Sequence, residues 1–128
     1  MTTDTTPNTQ SPHRDHPIVE HLLDAYGDGL QGVMRYDRTE YDLLFLREDL
    51  RELYDRDAVS EVFEEAVLES IGANRQEDVF TFGELTYVIR GFEKATVVQV
   101  FAGNHEGIIF STDDTVGLDV ESVIRGLI

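Results

Sequence analysis

Three histidines lie close together near the start of the chain, in the segment HRDHPIVEH. Neutral imidazole is a common ligand of divalent metals, so His16 and His21, with Glu20 between them, are candidate metal ligands. Their spacing matches no established metal motif. Pro17 also suits the first position of a helix. The pattern therefore favours a solvated helix start over a metal site.

A further histidine lies in the segment GNHEG, where His105 stands beside Glu106. A paired imidazole and carboxylate can carry out general acid–base chemistry, and turns at strand ends often hold functional residues. The alternative is an ordinary polar turn, in which Gly103 and Gly107 supply positive φ angles. The alternative is favoured, because no substrate-binding motif accompanies the pair.

Arg35, Arg47 and Arg90 fall on strands or strand ends of a very acidic protein. A guanidinium group in such a place is expected to have a specific partner. The simpler interpretation is an internal ion pair with one of the many carboxylates. The alternative is a bidentate contact with an anion or a partner on the sheet, and it makes Arg35, Arg90 and His105 a possible polar site.

Motifs of the major catalytic and cofactor-binding classes do not occur in the sequence. The serines lack a nucleophile-elbow context, and no phosphate loop or dinucleotide fingerprint is present. The chain has no cysteine, which excludes disulfides, thiolate metal sites and a cysteine nucleophile. The sequence therefore assigns no catalytic residue and no cofactor, and it favours a protein that is not an enzyme.

The charge of the chain is extreme, with 26 acidic and 10 basic residues and a net charge of −16. Lys94 is the only lysine. Such a surface repels itself in dilute salt, whereas molar salt shortens the Debye length to about 3 Å. The composition thus indicates a halophilic protein of haloarchaeal type; an acidic protein of an ordinary cell is the alternative. It argues against nucleic-acid and membrane binding, which use Lys and Arg.

Hydropathy predicts a cytoplasmic protein, since no apolar run approaches the roughly 20 residues that span a bilayer and the start of the chain lacks the features of a signal peptide. A polar tail that we expect to be disordered precedes one domain. The predicted segments are the tail 1–15, the domain 16–128, a helix at 17–28, strands at 33–37, 41–46, 85–90, 95–102 and 107–112, and a final helix capped by Asp119. The segment 79–82 is predicted as a short strand or an extended lead-in to the next strand.

The segment 41–71 organises the prediction, because an apolar strand leads directly into helical sequence. Asp49 and Glu52 resemble a capping box, which starts a helix near Leu50. The first apolar stripe of this segment is about 150° out of phase with the second. Either the helix breaks at 55–57, or one helix contacts different partners at its two ends. We favour the break, with Asp57 capping a second helix that ends at 72–74.

These elements predict an α+β fold of order α-β-β-α(broken)-β-β-β-α, with a five-stranded, mainly antiparallel sheet made of a hairpin and a three-stranded meander. In sequence, LFLREDLRELYD, VLES, FGELTYVIR and GIIFSTD resemble a family of small uncharacterised haloarchaeal proteins over most of 18–112. In element order, the chain is similar to the roadblock and longin-like folds. That resemblance implies a dimerising scaffold or a regulator of small nucleotide hydrolases.

Three functions follow as hypotheses. The first is a non-catalytic interaction or regulatory module that forms a homo-oligomer or binds a protein partner. The second is a small-molecule sensor, similar to PAS-like domains, with an apolar cavity between the sheet and the segment 50–71. The third and weakest is an enzyme that uses His105 or the pair His16 and His21. For the first hypothesis, the predicted contact residues are Val59, Val62, Phe63, Ala66 and Val67.

Overall fold

The computed structural model describes residues 16–113 and 120–127. Eight helices and strands follow one another in the predicted order, with short 3-10 turns at Gly27–Gly29 and Glu48–Leu50. The elements are α1 (Pro17–Tyr26), β1 (Leu30–Tyr36), β2 (Tyr41–Leu46), α2 (Arg56–Phe80), β3 (Tyr87–Gly91), β4 (Ala95–Gly103), β5 (Glu106–Asp113) and α3 (Val120–Arg125).

The five strands form one antiparallel sheet in the order β2-β1-β5-β4-β3. The hairpin β1–β2 and the meander β3–β4–β5 are joined where β1 pairs with β5. Short connections bring sequence neighbours together within each unit, so only the β1–β5 pairing is a long-range step. The predicted fold class, an α+β protein with a five-stranded antiparallel sheet, is therefore confirmed.

Apolar side chains cover both faces of the sheet. On one face, α1 and α3 pack over a cluster that includes Leu22, Phe110 and Ile124. On the other face, α2 packs over Met34 and its neighbours. Burial of each such side chain is worth about 1.5–3 kcal/mol. The two clusters make a three-layer arrangement with the sheet in the middle.

Strand β2 contributes to both clusters, as its unbroken apolar run LLFL predicts. Leu43 and Leu46 face α2, whereas Leu44 and Phe45 face the cluster under α1. Two consecutive side chains share a face because the register shifts between Val33 and Met34. A bulge of this kind leaves one residue without a partner on the opposite strand. The prediction that this strand is covered on both faces is confirmed.

The long helix differs most from the sequence prediction. It begins at Arg56, because the Asp55 carboxylate accepts a hydrogen bond of 2.9 Å from the backbone N–H of Ala58. The predicted helix from Leu50 and the predicted cap at Asp57 are wrong. Leu50 ends a 3-10 turn instead. The first apolar stripe therefore lies on this turn and the residues after it, and the second lies on α2.

The C-terminal end of α2 also differs from the prediction. The predicted end at 72–74 and the predicted short strand or extended lead-in at 79–82 are wrong, because the helix continues to Phe80. Thr81, at φ 57°, adopts the left-handed conformation that terminates it. An interior glycine destabilises a helix by only about 1 kcal/mol, and this helix tolerates Gly72. The result is one unbroken run of 25 residues.

The remaining boundaries shift by a few residues. Helix α1 ends at Tyr26, β1 begins earlier than predicted, at Leu30, and β3 begins later, at Tyr87. The predicted tail 1–15 and the predicted cap Asp119 lie outside the described residues. Among the helices that the structure describes, none is long and apolar enough to cross a bilayer.

Candidate functional site

The inner face of α2 holds the residues that the sequence singled out for partner contact. Val59 and Ala66 are 3% and 1% exposed, so the chain's own sheet covers them. Val62 and Phe63 are half-buried against the same cluster, and Phe63 lies 5.0 Å from the ring of Tyr41. Val67, further along the helix, is also half-buried. Four of these residues, Val59, Val62, Phe63 and Ala66, therefore lie against the sheet, and the exposed surface available to another molecule lies elsewhere on the helix.

The outward face of α2 carries that surface. Leu68, Ile71 and Val79 are 63%, 51% and 60% exposed. They fall at positions i, i+3 and i+11, and Arg75 fills position i+7, so all four lie on one side of the helix. We call these four residues the outer stripe. A helix with one apolar face on its sheet and a second one in solvent indicates an interaction surface.

Gly72 lies beside the outer stripe, and no described residue of its own chain requires a glycine there. A Cβ atom built at this position would have no neighbour within 4 Å. Glycine in an exposed helix interior is less favourable than alanine by about 1 kcal/mol. A missing side chain allows another backbone to approach closely. Its position thus agrees with a helix that packs against a second helix.

The C-terminal half of α2 packs near β3, the strand at one end of the sheet order. Arg90 on β3 forms an ion pair of 2.7 Å with Glu69 on α2, and the Glu77 carboxylate accepts a hydrogen bond of 2.8 Å from the backbone N–H of Leu85, just before β3. Among the described strands, β3 pairs with β4 alone. No described strand pairs with its other edge, and backbone groups at such an edge can pair with another strand.

The other two arginines of the sheet also form internal ion pairs. Arg35 lies 3.4 Å from Asp42 on the exposed surface. Arg47 contacts Asp49 at 2.6 Å and Asp113 at 3.0 Å. Together with the pair made by Arg90, these contacts match the simpler of the two interpretations. Arg35, Arg90 and His105 do not share a site through any contact among the described residues.

Arg47 ties three separate segments together. Besides its two carboxylates, it donates a hydrogen bond of 2.9 Å to the carbonyl oxygen of Asp28. Hydrogen bonds from Arg47 hold the pKa of Asp49 and of Asp113 below the ordinary value. The network is a structural clamp between the end of β2 and the end of β5.

His105 occupies the hairpin turn between β4 and β5. Asn104 and His105 have φ angles of 53° and 61°, and left-handed conformations at two adjacent residues suit a tight hairpin. Histidine here is strained by about 1–2 kcal/mol. The ring reaches towards α2, with Nδ1 3.4 Å from the Ser70 hydroxyl oxygen.

A polar groove surrounds this turn. It has a volume of about 960 Å³ and is lined by the turn, by the C-terminal half of α2 and by the segment before β3. The Ser70 hydroxyl donates to the carbonyl oxygen of Val67 at 2.7 Å, so its proton is not available to His105 for activation of a nucleophile. The groove also carries Glu77, Glu84 and Glu106. This geometry provides no activated nucleophile.

The two histidines of α1 have structural partners. His16 caps the helix, because its Nδ1 accepts a hydrogen bond of 3.2 Å from the backbone N–H of Ile18. His21 Nε2 lies 2.8 Å from the carbonyl oxygen of Val123 on α3. Residues 16–113 and 120–127 contain no group of three or more His, Asp or Glu side chains arranged to hold a metal ion.

An apolar groove lies at the start of α2, where the sensor hypothesis places a cavity. Its volume is about 390 Å³ and it is open to solvent rather than closed. Its floor is formed by Met34, Val97 and Ile109 of the sheet, and its walls include Leu50 and Tyr54 on one side. Phe92 and Lys94, in the turn between β3 and β4, form the opposite side. We call this feature the apolar groove.

Sequence reasoning missed the outer stripe and the far wall of the apolar groove. The outer stripe is visible in sequence only if the helix continues past Gly72, because two of its four residues follow that position. The groove combines the start of α2 with a turn about 35 residues further along the chain. Only the tertiary structure brings these segments together.

Comparison with known proteins supports the architecture. No curated protein sequence matches the chain. The solved structure of the gliding protein MglB from Thermus thermophilus is similar, with a TM-score of 0.54 and 16% sequence identity. The match covers 98% of this chain and 89% of that one, and it confirms the roadblock- and longin-like topology. The family model described as Domain of unknown function (DUF7522) matches residues 16–128, so the chain belongs to that family.

Proposed function

We propose that the protein is a non-catalytic regulatory module that acts as a homodimer, assembled through the outer stripe of α2. The observation that carries the proposal is the exposed apolar surface of Leu68, Ile71 and Val79 on a helix whose opposite face is already packed. A similar topology in MglB gives the fold and adds no function by itself.

Leu68 and Ile71 of the outer stripe can form a self-complementary contact under two-fold symmetry. If two copies of α2 pack antiparallel about a centre between Glu69 and Ser70, Leu68 meets Ile71 of the partner subunit. The same centre places Glu64 opposite Arg75 of the partner subunit. Residue i then contacts j while j contacts i, which is the requirement for an isologous dimer. Both Glu64 and Arg75 are exposed, and neither has an ion-pair partner within the described part of the chain.

The strength of this contact follows from two magnitudes. Full burial of a Leu or Ile side chain is worth about 1.5–3 kcal/mol, and association costs about 4–15 kcal/mol in lost freedom. The outer stripe alone therefore supports a weak dimer.

Salt is part of the proposal, because two subunits of charge −16 repel each other. At about 1 M salt the Debye length falls to about 3 Å, and the apolar contact then dominates. The module thus suits a halophilic protein in a salt-filled cytoplasm. This repulsion also means that dimerisation is strongest at high ionic strength.

Light scattering in 1 M KCl tests the proposal. The wild type should have twice the chain mass of 14.5 kDa, and Ile71→Asp should have the mass of one chain with an unchanged circular dichroism spectrum. Leu53→Asp is the matched control, because Leu53 is 70% exposed and precedes α2; it should remain a dimer. A wild type that is monomeric at every salt concentration contradicts the proposal.

A small-molecule sensor is the second candidate function, and the apolar groove is the observation that favours it. Its volume lies within the range of about 300–1,000 Å³ that is usual for ligand sites. The two candidates are compatible, because the groove lies at the start of α2 and the outer stripe occupies its other half.

A further inference from the structure

The apolar groove has a single cation at its mouth. Lys94 is the only lysine of a chain that carries 26 acidic residues, and it lines the groove beside Phe92. No described carboxylate forms an ion pair with it. The ammonium group of Lys94 therefore remains available to a ligand.

Two half-exposed aromatic residues frame the same opening. Tyr54 is 36% exposed just before α2, and Phe92 is 58% exposed in the turn between β3 and β4. Between them, Val97 and Ile109 form an apolar floor. Exposed aromatic rims above an apolar floor are typical of sites that a ligand completes.

We propose that the apolar groove binds a small amphiphilic carboxylate, with the apolar body on the sheet and the carboxylate at Lys94. The groove supplies apolar contact over most of its lining and one cation at its edge, which is the complement of such a molecule. A neutral apolar molecule would leave the lysine unused, and a cationic one would be repelled by it. The proposal is independent of dimerisation.

The net charge of the protein predicts an unusual salt dependence of carboxylate binding at this site. The field of a −16 chain opposes the approach of any anion at low ionic strength. Salt screens this long-range repulsion, while apolar contact within the groove is strengthened or unaffected. Affinity for a carboxylate should therefore rise between about 0.1 and 1 M KCl. An ordinary surface ion pair weakens over that range.

Isothermal titration calorimetry with octanoate tests the proposal, with octanol and octyltrimethylammonium as probes of equal chain length. The wild type in 1 M KCl should bind octanoate more tightly than either of the others. Lys94→Glu should weaken octanoate binding about three- to tenfold, strengthen binding of the ammonium probe and leave octanol unchanged. Phe92→Ala should weaken all three probes, because it removes a wall.

Arg38→Glu is the matched control, since Arg38 is exposed at the opposite end of β1 and the charge change is the same; it should bind octanoate as the wild type does. No heat with octanoate, or equal affinities of Lys94→Glu and the wild type for it, would overturn the proposal. The monomeric Ile71→Asp variant should bind octanoate as the wild type does, because the apolar groove and the outer stripe lie in different halves of α2. Failure of dimerisation leaves these results unaffected.

Discussion

The side-chain amide of Gln99 donates a hydrogen bond of 2.8 Å to the hydroxyl of Tyr36, across the intervening strand β5. The same nitrogen donates at 2.9 Å to the carbonyl oxygen of Ala66 on α2. Burial raises the pKa of the Tyr36 hydroxyl above its ordinary value, so it stays protonated. Because Gln99 is 1% exposed, these two bonds fix the point at which α2 crosses the sheet.

Replacing Gln99 by Met should destabilise the protein by about 1–3 kcal/mol, because two buried oxygen atoms lose a donor while the volume is kept. Urea unfolding in 1 M KCl measures the change as a shift in midpoint at constant slope. Gln76→Met is the control, since Gln76 is exposed on α2. Equal midpoints for the two variants would show that the buried amide does not stabilise the fold.

Gly107 is the reason that the Tyr36 ring can cross β5. A Cβ atom at this position would lie 2.5 Å from the Tyr36 hydroxyl oxygen and would also overlap the carbonyl oxygen of Val100. Gly107→Ala should therefore destabilise the fold by about 1–3 kcal/mol or more. Gly91→Ala, in open space at the end of β3, should change the midpoint of thermal unfolding by far less. Similar losses for the two variants would contradict this explanation.

The element order followed from sequence because each element carries a local signal. Apolar alternation and short turns specify the meander, and the apolar run LLFL specifies a strand buried on both faces. The start of α2 was misread because Asp49, Asp55 and Asp57 can all cap a helix. The backbone conformation determines which of the three caps the helix. In the structure it is Asp55, whose carboxylate accepts a hydrogen bond from the backbone N–H of Ala58.

The candidate sites are harder to predict from sequence than the element order, because they combine residues that only the tertiary structure brings together. The sequence predicts an apolar pocket between the sheet and the segment 50–71. It does not indicate that Phe92 and Lys94 line the same pocket, because they lie far from this segment in the chain. It also selected Val59 and Ala66 for partner contact, because a sequence stripe does not say which of two faces meets the sheet. The outer stripe can be recognised only once the structure shows which face of α2 packs on the sheet.

The clamp around Arg47 predicts how stability depends on pH. Hydrogen bonds from Arg47 lower the pKa of Asp113 in the folded state, with a further contribution from Gln31. A lowered folded-state pKa gives stability that is complete above the unfolded value of about 3.9 and is lost as pH falls through the folded value. Arg47→Gln should thus have a lower midpoint of thermal unfolding than the wild type at pH 7, and the difference should shrink below about pH 4.

Arg35→Gln is the control for this titration, because the pair between Arg35 and Asp42 is exposed and 3.4 Å long. Exposed pairs contribute little, so this variant should follow the wild type at every pH. A difference between Arg47→Gln and the wild type that stays constant from pH 7 to pH 3 would show that the clamp acts through packing and not through its charges.

The proposed dimer predicts a charge-reversal pattern at Glu64 and Arg75. Glu64→Arg places two like charges opposite each other in both symmetric contacts, and so does Arg75→Glu. Each variant alone should therefore dissociate to monomers at moderate salt, where screening is incomplete. Each should keep the helical content of the wild type, because both positions are exposed.

Mixing the two variants gives the decisive result. In a heterodimer of one Glu64→Arg chain and one Arg75→Glu chain, each contact again joins a cationic side chain to an anionic one. Equimolar mixing should restore the dimer mass in light scattering, as should the double variant that carries both changes. Recovery requires antiparallel helices about a centre between Glu69 and Ser70, because any other register places these residues apart. A mixture that stays monomeric while the wild type dimerises would show that the interface lies elsewhere on the molecule.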